Sequence, residues 1–227
     1  MQLQALILFG SYARGDQTKD SDVDFLAVHD ESQYRIKEHK KLYFSFYPEQ
    51  TLRQMMLNGE LFALHLATES KIIFENNNIA SNIFNLFKFK SSYIPIINEA
   101  SLLAWTIIKY YTEINRPDLC NKRLVWCIRT VCAANAASQR KNCFAAADII
   151  KSASIDDMDW VLAQKNNPNY SLRLISKMIE FLRHYDLEQP KDVEQTKDID
   201  DCLLLFENGS MGYRFLRSLK IKKALGY

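Results

Sequence analysis

The chain has 227 residues, 48% of them apolar, and its 29 basic and 27 acidic residues leave a net charge of +2. That length can bury one or two apolar cores, and the near-balance of charge excludes a protein devoted to long DNA or RNA, which would carry a marked basic excess. No apolar run of about 18 residues occurs, and Met1-Gln2-Leu3-Gln4 lacks the basic and apolar opening of a secretory leader, so no membrane association is expected and the expected location is cytoplasmic.

In chain order, Leu6-Ile7-Leu8-Phe9 predicts a strand over 4–9, closed at Gly10, which tolerates backbone angles that other residues avoid. A short helix is expected over 12–17, then a polar turn through Gly15 and Asp16 to Ser21. In the next expected strand, 22–28, Asp22, Asp24 and Leu26 share one face and Val23 and Phe25 the other. Further strands are expected at 41–47 and 70–75, and helices at 49–57 and 60–67. Past residue 90 the apolar spacing becomes helical, as in Ile97, Ala100, Leu103, Ala104, Ile107, Ile108 and Tyr111, and again from Leu172 to Leu182. Asn167-Pro168, Gln189-Pro190 and Asn208-Gly209 read as breaks between helices, with Ser171 placed to cap one. The expected architecture is an α/β (α+β) core with a mixed sheet over 1–90, followed by an all-α helical bundle over 91–227.

The residues that carry chemistry lie between the first two strands. Asp22 and Asp24, two apart on a strand, point the same way and can grip one magnesium ion, whose octahedron water and nucleoside triphosphate oxygens would complete. At the other side of the turn, Gly10 and Ser11 can cradle those phosphates through the Ser11 hydroxyl and the unpaired N–H groups of a helix start. Arg14 is a candidate to stabilise the triphosphate or, equally, an ordinary solvated arginine, whereas Asp16 and Asp20 read as turn-formers. Such a metal would offset the charge developing in an in-line attack on phosphorus, which makes nucleotidyl transfer the reaction class.

The pattern Gly10-Ser11, ten positions, then Asp22-Val23-Asp24 and an apolar strand resembles the signature of the DNA-polymerase-β-like nucleotidyltransferase superfamily. The resemblance is close over 6–28 and looser over 48–75, where PEQTLRQMMLNGELFALHLATESKIIFE is similar to the helix, helix and closing strand that follow the core. It implies catalytic, metal-binding Asp22 and Asp24 holding one or two Mg2+ ions, and nucleotide-binding Gly10, Ser11 and Arg14. The implied reaction moves a nucleoside monophosphate, AMP from ATP in the first instance, to a hydroxyl on a protein, a tRNA or an antibiotic-like molecule, with release of pyrophosphate. Relatives include members of toxin–antitoxin systems and enzymes that modify aminoglycosides or lincosamides. The core itself does not specify the acceptor.

One departure stands out. The family commonly takes a third carboxylate from the next strand, and here Lys41-Leu42-Tyr43-Phe44-Ser45-Phe46-Tyr47 holds no acid. Tyr43 or Ser45 takes its place, Glu38 and Glu49 fall outside the strand at either end, and Glu60 is a more distant candidate, so the general base is unassigned. This opens an alternative in which a catalytically degenerate fold binds nucleotide or a partner as a scaffold.

The remaining polar chemistry reads as structural. Cys120, Cys127, Cys132, Cys143 and Cys202 show no CxxC spacing and are expected as buried, reduced thiols. His65 lies in an apolar helical segment and is expected to pack rather than catalyse. Trp105, Tyr110, Tyr111 and Trp126 are expected in the helical core, although one of them could stack on a base. An acidic stretch from Asp186 to Asp201 and the basic group Arg214, Arg217, Lys220, Lys222 and Lys223 are read first as solvated helix faces.

Overall fold

The computed structural model describes residues 2–19 and 21–224, with side chains through Leu219. Asp20 and the side chains of Lys220, Lys222 and Lys223 therefore lie outside the described residues. The chain divides into two compact units, Met1–Ser92 with Ala136–Ala145, and Tyr93–Asn135 with Ala146–Tyr227.

In the first unit the apolar run forms β1 (Leu3–Phe9), and Gly10 turns the chain into a single helical turn, α1 (Ser11–Arg14). The helix expected to run to residue 17 stops at Arg14 because Gly15, in the left-handed conformation, returns its N–H to the Ser11 carbonyl at 2.8 Å. The loop after it is pinned by the Thr18 N–H on Ser21 Oγ at 2.9 Å and by Lys41 Nζ on the Lys19 carbonyl at 2.7 Å. Then come β2 (Val23–His29), β3 (Arg35–His39), β4 (Leu42–Pro48), α2 (Glu49–Leu57), α3 (Leu61–Glu69), β5 (Lys71–Glu75) and α4 (Ile79–Phe84).

The strands form one five-stranded sheet in the order β3-β4-β2-β1-β5. Only β2 and β4 run parallel, while β1 pairs antiparallel with β2 and β5 and β3 pairs antiparallel with β4, so the sheet is mixed. Period-two alternation sends Ala5, Ile7, Leu26 and Val28 to one face, where they pack with Leu52, Met56, Ala63, Leu66, Ala80 and Ile83 from α2, α3 and α4, none more than 1% exposed. Gly59, at φ 61, closes the turn between α2 and α3, where a Cβ would collide with the Lys88 carbonyl and stand 2.8 Å from Lys90 N. The backbone of 88–90 can approach that closely because residue 59 has no side chain.

The second unit is helical: α5 (Ile94–Tyr110), α6 (Pro117–Ser138, up to Asn135), α7 (Ala146–Ala153), α8 (Met158–Ala163), α9 (Leu172–His184), α10 (Lys191–Gln195) and α11 (Met211–Ala224). Its core is built from the periodic apolar positions, among them Leu103, Ile107, Leu124, Ile128, Val131, Met178 and Leu182, all 0% exposed. Ser171 caps α9 by accepting the Leu174 N–H at 3.2 Å. Trp105, Tyr110 and Tyr111 are buried here, and all five cysteines of the chain are buried and outside any disulfide. Buried Asn121 is satisfied by the Tyr111 hydroxyl at 2.6 Å and by the Asn167 and Asn169 carbonyls. The acidic stretch is not one helix face, since α10 covers only Lys191–Gln195 and Asp186 and Glu188 stand in the loop before it. No described helix is long and apolar enough to cross a membrane.

Candidate active site

The geometry starts at the end of β1. Phe9 pairs with Asp24 across the β1–β2 ladder, so the Gly10-Ser11 turn emerges beside the Asp24 carboxylate. Gly10 sits at φ 74 and ψ −156, and a Cβ there would lie 2.7 Å from Asp24 Oδ2. Conformation and clearance both call for glycine, because a side chain there would press on the carboxylate. Ser11 begins α1, and among the described residues its hydroxyl has no hydrogen-bond partner. Because α1 is one turn long, its dipole adds little, and a phosphate there would be held by that hydroxyl and the local N–H groups.

Asp22 directly precedes β2, where the Val23 N–H bonds the Lys41 carbonyl at 2.8 Å, and Asp24 is the second residue of the strand. Their alternation with buried Leu26 places both carboxylates on the face that carries the core, at the end of the sheet beyond it. Parallel pairing sets Tyr43 of β4 opposite Asp24, and the β3–β4 ladder sets Glu38 opposite Tyr43. Asp24, Tyr43 and Glu38 thus form a row across three neighbouring strands on one face. The Tyr43 hydroxyl donates to Glu38 Oε1 at 2.8 Å. This bond is the main reason its ionisation is pushed up to about 12, followed by desolvation, the Glu38 charge, and the charges of Asp22 and Asp24.

Glu38 is the residue that sequence reasoning left outside the strand. Its strand, Arg35-Ile36-Lys37-Glu38-His39, is exposed throughout and turns into β4 through Lys40 at φ 55, with no glycine or asparagine to signal the hairpin. The available sign was the carboxylate's distance of five positions from Tyr43 across a two-residue turn. Glu49, the acid at the far end of β4, is engaged by Arg53 Nε at 2.7 Å.

Arg14 is tethered: its Nε donates to Asp16 Oδ2 and its Nη1 to Glu69 Oε2, each at 3.2 Å. Glu69 also contacts His65 Nδ1 at 3.1 Å and accepts from Asn142 Nδ2 at 3.1 Å. His65 packs against Phe144, with ring centroids 4.8 Å apart, as expected of a structural histidine. Asp16 is thereby an ion-pair partner that fixes the turn.

Among the described residues no three His, Cys, Asp or Glu side chains converge as a metal cage. Two carboxylates on one face are a donor set of the kind magnesium takes, since it binds through one or two carboxylates and takes its other ligands from water and phosphate.

The chain is similar to known proteins. A Methanocaldococcus jannaschii protein described as a "putative protein adenylyltransferase" is 48% identical over 33 residues, which is 14% of this chain and 33% of that protein's length. The match thus spans about a third of that relative. A nucleotidyltransferase-like protein of Exiguobacterium sibiricum, known from a crystal structure, aligns over 81% of this chain and 68% of its own, at 17% identity and a TM-score of 0.35. The family described as the nucleotidyltransferase domain matches residues 2–102, the stretch that contains the whole sheet, the Gly10-Ser11 turn and both aspartates.

Proposed function

We propose that the protein transfers a nucleoside monophosphate, AMP from ATP, to a hydroxyl acceptor and releases pyrophosphate. The observation that carries this is the close approach of Gly10 to Asp24, which sets the Gly10-Ser11 turn beside two carboxylates on one face. In the proposal Asp22 and Asp24 hold magnesium, and the Ser11 hydroxyl and neighbouring N–H groups hold the triphosphate. Arg14, fixed by Asp16 and Glu69, faces the same turn as a positioned positive charge. Magnesium, when bound, would supply charge neutralisation on the phosphates and alignment for in-line attack. Glu38, brought to this face by β3, is assigned to receive the proton of the acceptor hydroxyl. The choice of AMP leans on the name of the archaeal relative, and protein is the acceptor class that name favours.

One observation favours a second reading. The position opposite Asp24 on β4 is filled by Tyr43, not by a carboxylate, and a site weakened there could serve as a nucleotide-binding scaffold.

The test is incubation of the purified protein with magnesium and each α-labelled nucleoside triphosphate, alone and with cell lysate. Label on a macromolecule or small molecule, lost in Asp22→Asn/Asp24→Asn, supports transfer and identifies the acceptor class. Nucleotide binding without transfer of label would favour the scaffold, and transfer that survives the double substitution would overturn the metal assignment.

A further inference from the structure

β3 is an outer strand of the sheet, paired on one side only, and all five of its residues are exposed, Ile36 at 59%. The pairing of its neighbour shows which backbone groups the other side offers. Lys41 turns its carbonyl to β2, where it accepts the Val23 N–H at 2.8 Å, so by alternation Leu42, Phe44 and Phe46 turn their backbone groups to β3. Their partners there are His39, Lys37 and Arg35, which leaves the N–H and C=O groups of Ile36 and Glu38 pointing away from the sheet. Among the described residues nothing in the protein bonds these groups. An extended chain laid along β3 would supply partners for all of them at once.

The side chains decide what kind of chain that is. Arg35, Lys37 and His39 alternate with Ile36 and Glu38, and Lys40 follows at the turn. Arg35 pairs with Glu31, whereas Lys37, His39 and Lys40 have no ion pair among the described residues. Lys37 Nζ lies 5.8 Å from the centre of the Phe46 ring, which steadies its charge beside the edge. Glu38, the one acid of the strand, already accepts from Tyr43. Lysine on an edge strand is a common guard against unwanted pairing, and here it works against a second copy of the chain. Antiparallel matches of β3 with itself, centred on Ile36 or on Lys37, would set Arg35 opposite Lys37 or two lysines opposite each other. The same charges favour a strand that carries carboxylates.

We infer that the free edge of β3 docks an extended, acidic segment of a partner protein, which joins the sheet as an added strand. In an antiparallel match the residues opposite Ile36 and Glu38 make the backbone bonds, and carboxylates at the alternate positions face Arg35 and Lys37. An apolar side chain opposite Ile36 covers its exposed surface. The docking uses no step of nucleotidyl transfer and serves an enzyme and a scaffold alike, so it and the assignment of Asp22 and Asp24 can fail separately.

The test is fluorescence anisotropy of a short, capped, dye-labelled peptide that alternates valine with glutamate, titrated with the full chain in the absence of nucleotide. A peptide that alternates valine with lysine is the comparison. Saturable binding of the glutamate peptide, roughly tenfold or more tighter than that of the lysine peptide and weakened by a similar factor in Ile36→Pro and in Lys37→Glu, supports the proposal. Ile36→Pro removes an N–H that the β3–β4 ladder does not use, a substitution that edge strands tolerate, and Lys37→Glu changes charge alone. Asp22→Asn/Asp24→Asn should bind the peptide as the native chain does. No saturable binding of the glutamate peptide overturns the proposal, as does equal binding of the lysine peptide, or binding that both Ile36→Pro and Lys37→Glu leave unchanged. A dimer of the native chain that Ile36→Pro converts to monomer in analytical ultracentrifugation would place a second copy on this edge and would also overturn it.

Discussion

The hydroxyl of Tyr43 donates to Glu38 across the β3–β4 ladder at 2.8 Å, and Tyr43 is in turn opposite Asp24 on β2. A carboxylate is thereby linked to the aspartate face by way of a phenol. If Glu38 receives the acceptor's proton, Glu38→Gln should lower kcat by about 10²- to 10⁴-fold and leave ATP binding nearly unchanged. A variant with full activity would remove Glu38 from the chemistry.

The same bond sets an ionisation. Tyr43 should lose its proton near pH 12, above the usual tyrosine value of about 10, because Glu38 holds the protonated phenol. Glu38→Gln should return it toward the ordinary value. The folded protein keeps this proton longer than the unfolded chain, so the contribution to stability is complete below about pH 10 and fades as pH rises toward 12. NMR titration of ring-labelled tyrosine, assigned with Tyr43→Phe, would show both.

Gly10→Ala places a Cβ 2.7 Å from Asp24 Oδ2 at a positive φ. The expected result is a loss of about 1–3 kcal/mol of stability, together with a larger loss of transfer activity as the carboxylate is displaced. Thermal melting and the labelled-nucleotide assay, run on the same preparation, separate the two.

Gly59→Ala makes a sharper structural prediction, because the collision is with backbone at Lys88 and Lys90 and not with a side chain that could swing away. We expect a loss of about 2–4 kcal/mol in chemical denaturation. A loss below about 0.5 kcal/mol would mean that the 88–90 segment readily moves aside.

Burial drives the thiols of Cys120 and Cys127 upward, the first to about 12, so neither is a thiolate at neutral pH. A thiol reagent should label them slowly in the native protein and promptly once it is unfolded. Fast native labelling of either would contradict their burial.

The sequence was most legible where one signal dominated. The apolar run ending in Gly10-Ser11 and the strand after Asp22-Val23-Asp24 located β1 and β2, and the spacing of apolar residues located α5 and α9. β3 escaped because all five of its residues are exposed and Lys40 turns the hairpin without a turn-forming residue. Without β3, Glu38 had no place beside Tyr43. α4 escaped for a similar reason: it opens after Asn76-Asn77-Asn78, with Asn78 left-handed at its start and no side-chain cap, so the stretch reads as loop. The acids of 186–192 are exposed, as a solvated face requires, but Asp186 and Glu188 stand in a loop that charge composition could not tell from helix.

The short segment Ala136–Ala145, which groups with the first unit, has a consequence for how that unit is made. Asn142 reaches Glu69, Phe144 covers His65, and Arg140 bonds the Lys90 carbonyl at 3.0 Å while lying over the Phe89 ring. On the ribosome, the sheet can be complete by residue 92, yet Glu69, the anchor of Arg14, gains its last partner only after about fifty more residues have emerged. A fragment cut at Ser92 would carry Gly10, Ser11, Asp22 and Asp24 and still lack that buttress, so it would understate how firmly the turn that bears Arg14 is held in the whole chain.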